Sequence, residues 1–126
     1  MRCFHTGLRA LCPCLLVIAV GCSKSTATWI EQAKAEDPAQ RLQAIHALQD
    51  KESESAVVVP VLIEALQDKN TYVRRDAAKA LGKFNAKDAV PPLILRLKDD
   101  EPSVRKAAGQ SLKQIDPAAA SKAGIK

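Results

Sequence analysis

Val59-Pro60-Val61-Leu62-Ile63-Glu64-Ala65-Leu66-Gln67-Asp68 is echoed 31 residues on by Val90-Pro91-Pro92-Leu93-Ile94-Leu95-Arg96-Leu97-Lys98-Asp99. The echo runs past both stretches. Val73-Arg74-Arg75-Asp76-Ala77 returns as Val104-Arg105-Lys106-Ala107-Ala108, and Leu81 returns as Leu112, at the same step of 31. A fainter copy lies upstream at a step of 33: Arg41-Leu42-Gln43-Ala44 matches Arg74-Arg75-Asp76-Ala77, and Leu48 matches Leu81. The linker around Asp50 to Ser55 therefore carries two extra residues. Asp37-Pro38 likewise matches Glu101-Pro102. A fixed period of this length marks stacked units, each burying its apolar face on its neighbours.

Each unit divides into two helical patterns. In the first, Leu62, Ile63 and Leu66 share a face; in the second, Val73, Ala77, Leu81 and Phe84 recur at steps of three or four. Leu81 and Leu112 are accordingly expected in the core. Pro38 and Pro102 stand where a second helix should begin, a position that tolerates proline. Thr28-Trp29-Ile30-Glu31 reads as a capping box for the first helix. Asp88 is a candidate N-cap for the helix carrying Pro91 and Pro92, although Pro92 then lies deep. These patterns predict six helices in three antiparallel pairs, over about 28–50, 55–85 and 86–116. Residues 117–126 are expected to form a loose tail, with at most a frayed turn over Ala118 to Lys122.

The segments Val90-Pro91-Pro92-Leu93-Ile94 and Asp99-Asp100-Glu101-Pro102-Ser103-Val104-Arg105-Lys106-Ala107-Ala108 resemble HEAT repeats of the phycobilisome-lyase-like class. That resemblance implies an all-α fold, a short right-handed α-solenoid of about three helix pairs. It implies that second helices line the concave side. It further implies that Asp68, Arg74, Asp99 and Arg105 pair within and between units as a structural ladder, rather than clamping a phosphate or carboxylate ligand.

Composition agrees with helix-on-helix packing. Of 126 residues, 47% are hydrophobic but only 3% aromatic, so the core must be aliphatic. The formal charge is +5, which falls to +3 once Arg2 and Arg9 are set aside with the leader described next. A surface this mildly basic, without stacking aromatics, lacks the footprint of a nucleic-acid binder.

Arg2 and Arg9 precede an apolar run from Leu11 to Val20, the layout of a secretory signal over residues 1–21. The run is about half of the roughly 20 residues that a spanning helix needs. Its end, Leu16-Val17-Ile18-Ala19-Val20-Gly21-Cys22, resembles the bacterial lipobox, with Ala19 departing from the usual Leu. The resemblance implies a lipid on Cys22 and a polar tether over 22–27, which would place the chain in the bacterial cell envelope, facing the periplasm or the exterior. An ordinary signal-peptidase cut after Ala19-Val20-Gly21 is the alternative. All four cysteines lie at or before Cys22, so Cys12-Pro-Cys14 has no acidic or histidine ligand nearby to make a metal site.

No catalytic constellation, cofactor motif or metal-ligand spacing stands out. His46 is the one histidine beyond the leader, and no His-Glu dipeptide occurs. The iron-binding pattern of deoxyhypusine hydroxylase, another HEAT-repeat protein, is thus missing. Trp29 is expected to pack in the N-terminal cap. Once the core positions are removed, the second helices leave Tyr72, Arg75, Asp76, Lys79 and Lys83 exposed in the middle unit, with Lys106 and Gln110 equivalent in the last. Arg75, Lys79 and Lys83 stand at i, i+4 and i+8. They form either an ordinary solvated surface or a mildly basic face with Tyr72 as an anchor for a partner. The reading is a monomeric, non-catalytic module that binds another protein and meets the membrane through Cys22. A lyase-like or chaperone-like helper, or a binder of acidic polymers or headgroups, is the alternative.

Overall fold

A computed structural model describes residues 24–126; the leader and Cys22 lie outside them. The described residues form seven α-helices and no strand. They are α1 (Thr26–Gln32), α2 (Pro38–Leu48), α3 (Ser55–Ala65), α4 (Thr71–Lys83), α5 (Val90–Arg96), α6 (Pro102–Ile115) and α7 (Pro117–Lys122). Short 3-10 turns, Glu52–Glu54 and Lys87–Ala89, lead into α3 and α5. The expected three pairs are α1–α2, α3–α4 and α5–α6.

Capping side chains fix where the second helices begin. Asp37 accepts from the Ala39 N–H at 3.0 Å and Asn70 from the Tyr72 N–H at 2.9 Å. Pro38 and Pro102 occupy the first helical position, where no N–H is needed. Helix α4 ends in a Schellman motif. Asn85 sits at φ 50, its N–H bonds the Gly82 carbonyl, and the Ala86 N–H reaches the Leu81 carbonyl.

Several local expectations are corrected. Thr28 does not cap α1: Ser25 is the N-cap, its Oγ accepting from the Thr28 N–H at 3.3 Å. The tether is shorter than expected, because Thr26 and Ala27 already belong to α1 and Thr26 is buried against Glu54. Asp88 does not cap α5. It lies in the preceding 3-10 turn and Ala89 takes the cap position without a side-chain bond. Pro92 is tolerated because α5 starts at Val90, which leaves Pro92 in the first turn.

The loose tail is overturned as well. Asp116 caps α7 through the Ala119 N–H at 2.9 Å. Gly124, at φ 83, closes it in a second Schellman motif, with Ile125 N–H bonded to the Ala120 carbonyl. Ala120 is buried, and Ile125 packs beside Gly109 and Leu97. Residues 117–125 therefore pack on α6 instead of fraying.

The core runs through Ile45, Leu48, Val58, Leu62, Leu66, Val73, Leu81, Leu93, Leu112 and Ile115, all essentially without solvent contact. Leu81 and Leu112 hold the core positions that their period predicts. The second helices α2, α4 and α6 pack directly on one another, whereas α1, α3 and α5 each pack mainly on their own partner. Small residues permit the packing of α4 on α6. Ala78 and Gly82 of α4 meet Ser111 of α6, whose buried hydroxyl donates to the Ala78 carbonyl at 2.6 Å.

Candidate functional site

With three sides of α4 taken by α2, α3 and α6, only a narrow strip of it reaches solvent. The strip carries Tyr72, Arg75, Lys79 and Lys83, at the spacing the sequence predicts. Asp76, expected to be exposed, is instead buried at 7% exposure. It sits at the α2–α4 seam and gathers basic side chains around it. Arg75 Nε donates to Asp76 Oδ1 at 2.7 Å and Nη2 to Oδ2 at 3.1 Å. His46 Nε2 of α2 lies 2.8 Å from Oδ2, and Lys79 Nζ lies 3.8 Å from Oδ1. Burial pushes the Asp76 carboxyl up, but the bonds from Arg75 and His46, with the nearby charges of Arg75 and Lys79, hold it below its ordinary value.

This hub fixes the geometry of the strip. Arg75 is folded back along its own helix, with its guanidinium 5.2 Å from the Tyr72 ring centroid. Tyr72 remains over half exposed. Between α4 and α6, Arg75, Lys79, Ser103, Lys106, Ala107 and Gln110 line an open groove of about 290 Å³. Four of the six residues picked out as a candidate face thus meet in one depression, and Tyr72 adjoins it through Arg75. Lys83 does not join them. Its ammonium pairs with Asp50 at 2.6 Å, across the front of the stack toward the first unit.

A second, more apolar depression of about 260 Å³ shares Lys106 and Gln110 with the first and extends to Leu97, Arg105, Gly109 and Ile125. A third, of about 440 Å³, lies on the first-helix side among Val59, Pro60, Ile63 and Phe84. It converges on no set of polar groups. Among the described residues no three histidine, cysteine, aspartate or glutamate side chains cluster as metal ligands, and no helix is long and apolar enough to cross a membrane.

The ladder takes a definite form. Arg41 grips Asp68 with Nε and Nη2 at 2.7 and 2.8 Å, and Arg74 grips Asp99 with the same two atoms at 2.9 Å each. Each carboxylate thus pairs with the arginine of the preceding unit. Within a unit, the contact is between the arginine and the loop backbone: Arg74 Nη1 donates to the Asp68 and Lys69 carbonyls. Burial pushes the Asp68 and Asp99 carboxyls up. Hydrogen bonds from Arg41 and Arg74, and from the Asn70 and Glu101 N–H groups, reinforced by the arginine charges, outweigh it and hold both low. Arg41 was a missed member, although its 33-residue alignment with Arg74 carried the signal. Asp76 gave no such signal, because its burial depends on how closely α2 approaches α4.

Residues 26–113 match the family model described as HEAT repeats. The chain is 39% identical over 75 residues to the phycocyanobilin lyase subunit alpha of Synechococcus elongatus, covering 54% of this chain and 28% of that protein. The solved complex of CpcE and CpcF of phycocyanin lyase from Nostoc sp. PCC7120 superposes with a TM-score of 0.74 at 32% identity, covering 82% of this chain and 42% of the matched chain. The chain therefore spans less than half the length of these relatives.

Proposed function

Because the chain belongs to the HEAT-repeat family, in its phycobilisome-lyase-like class, we propose that it is a non-catalytic interaction module that docks an acidic face of another protein in the α4–α6 groove. One observation carries the reading. Lys79 and Lys106 line the same groove from successive units, and Asp76, the acid nearest to it, is already committed to Arg75 and His46. The groove presents net positive charge beside hydrogen-bonding Gln110 and Ser103, and Tyr72 supplies an amphipathic anchor at its edge.

The test is a photo-crosslinking residue placed at Gln110, compared with one at Leu95 on the first-helix side. Gln110 should capture one protein that Leu95 does not, and Lys79→Glu with Lys106→Glu should abolish that capture in a chain that circular dichroism shows to be still folded. Equal capture from both positions, or capture that survives the double reversal, overturns the reading.

We further propose that the module is held at the bacterial envelope by a lipid on Cys22. Two or more acyl chains give stable anchoring, at about 0.8 kcal/mol per buried methylene. Cys22→Ser should abolish labelling by fatty acid and release the domain from membranes. Label that still migrates with the variant rules the anchor out.

A second reading is favoured by the relatives, two of which are lyase components. The chain would then be a helper in attaching a bilin to a protein. It requires the chain to change the rate or yield of bilin attachment to an acceptor protein; an unchanged yield sets it aside.

A further inference from the structure

The first helices carry apolar surface that the stack leaves uncovered. Helix α3 packs on α4 and α5 on α6, with little contact between α3 and α5. The cleft between them holds the depression of about 440 Å³, floored by Val59, Pro60, Ile63, Phe84 and Ala86. Val57 of α3 and Leu95 of α5, at 51% and 64% exposure, extend the apolar surface along the same two helices. The cleft lies between the second and third units, so a further unit stacked on either end would leave it open.

Charge and backbone chemistry together select the occupant. The charged residues that line the depression, or adjoin its lining in sequence, are Glu54, Glu64, Asp88, Lys83 and Lys87. Both lysines are engaged elsewhere, Lys83 with Asp50 and Lys87 with the Ile115 carbonyl. Among the described residues no cation pairs with any of the three carboxylates, and Glu54 accepts only the Thr26 hydroxyl. The edges of the cleft are therefore acidic, opposite in sign to the α4–α6 groove. Its walls are helices, which bond their interior N–H and C=O groups within themselves. An extended peptide laid between them would bury backbone groups without partners. A helix arrives with those groups already satisfied.

We propose that the α3–α5 cleft seats an amphipathic helix of another polypeptide, with its apolar stripe on Val59, Pro60, Ile63 and Phe84 and its flanking lysines or arginines beside Glu54, Glu64 and Asp88. The cleft and the α4–α6 groove select opposite charge, and either can fail without the other.

The probe is a fluorescent peptide that repeats Leu-Lys-Lys-Leu-Leu-Lys-Leu, which places leucines on one helix face, titrated with the full chain. Binding should saturate with a Kd of about 10–100 μM. The same residues in an order that spreads the leucines round the helix, or the amphipathic order with glutamate for lysine, should bind at least about tenfold more weakly. Pro60→Lys restores an N–H to the interior of α3 and puts a like charge on the floor of the cleft. The chain should stay folded and lose at least about tenfold in affinity, whereas Pro60→Ala should keep it. Asp88→Asn should weaken binding about threefold, and Glu36→Gln, which removes the same charge from the α1–α2 loop, should hardly change it. No binding at about 1 mM peptide, equal binding of the three peptides, full affinity in Pro60→Lys, or equal losses in Asp88→Asn and Glu36→Gln overturns the proposal. Self-association of the chain that Pro60→Lys abolishes makes a second copy the occupant, and overturns it as well.

Discussion

Arg74 and Asp99 join the second and third units through two parallel hydrogen bonds of 2.9 Å, and Arg74 also ties the loop of its own unit through the Asp68 and Lys69 carbonyls. One guanidinium thus satisfies two loops that the aliphatic core alone would not orient. The two members of the pair should therefore be unequal. Asp99→Ala leaves Arg74 partly solvated and still bonded to its carbonyls, at a cost of about 2 kcal/mol. Arg74→Leu removes the carbonyl clamp and leaves Asp99, whose side chain is only 3% exposed, with the Arg96 guanidinium at 3.3 Å and the Glu101 N–H as its remaining partners, so it should cost about 3 kcal/mol. Denaturant unfolding of both singles and the double variant measures this. Costs that add to within about 0.5 kcal/mol would mean the fork contributes nothing.

The same carboxylates set the acid limit of the fold. Asp68, Asp76 and Asp99 are all held below their ordinary value in the folded chain. A depressed carboxyl binds protons less readily folded than unfolded, so its contribution is complete above about pH 4 and is lost as pH falls through the folded value. Melting temperature should be flat from about pH 7 to 5 and drop below about pH 4. Asp99→Asn should flatten that drop. A drop of unchanged size in the variant shows that this carboxyl is not linked to folding.

Gly82 marks the closest approach of α4 to α6. A Cβ built there would stand 2.6 Å from Ser111 Oγ and 3.0 Å from Ser111 Cβ. Ser111 cannot swing aside freely, because its hydroxyl is bonded to the Ala78 carbonyl. Alanine should gain up to about 1 kcal/mol in helix propensity and lose about 1–3 to overpacking, a net destabilisation of about 1 kcal/mol. In a Ser111→Gly background the sign should reverse. A stabilising Gly82→Ala in the unaltered chain would show that the helices sit farther apart.

What the sequence made legible follows from period. The 31-residue step located the helix pairs, the buried Leu81 and Leu112, and the strip on α4, because each follows from spacing along one helix. The ends of the stack were harder to read. The docked α7 depends on Asp116 and Gly124 acting together over a segment rich in alanine, and Ile125 finds its site only once Gly109 leaves room. The candidate face was legible in its membership and not in its pairing. Lys83 matches Lys79 in spacing, yet Asp50, from the irregular linker, draws it away.

Asp76 now governs how positive the groove is. Its carboxylate lies against Arg75 and Lys79, both of which line the depression. Asp76→Asn keeps the shape and the acceptor for Arg75 but removes the compensating charge. Asp50→Asn removes one negative charge as well, from an exposed partner of Lys83 outside the groove. The two variants therefore have the same net charge and differ only in where it changed. A charge change several ångströms from a bound anion in a wet groove is worth about threefold in affinity. Binding of a polyglutamate peptide at low salt should thus tighten about threefold in Asp76→Asn and by much less in Asp50→Asn, and the difference should fade as salt rises. Equal gains in the two variants would show that the peptide responds to net charge and not to the α4–α6 groove.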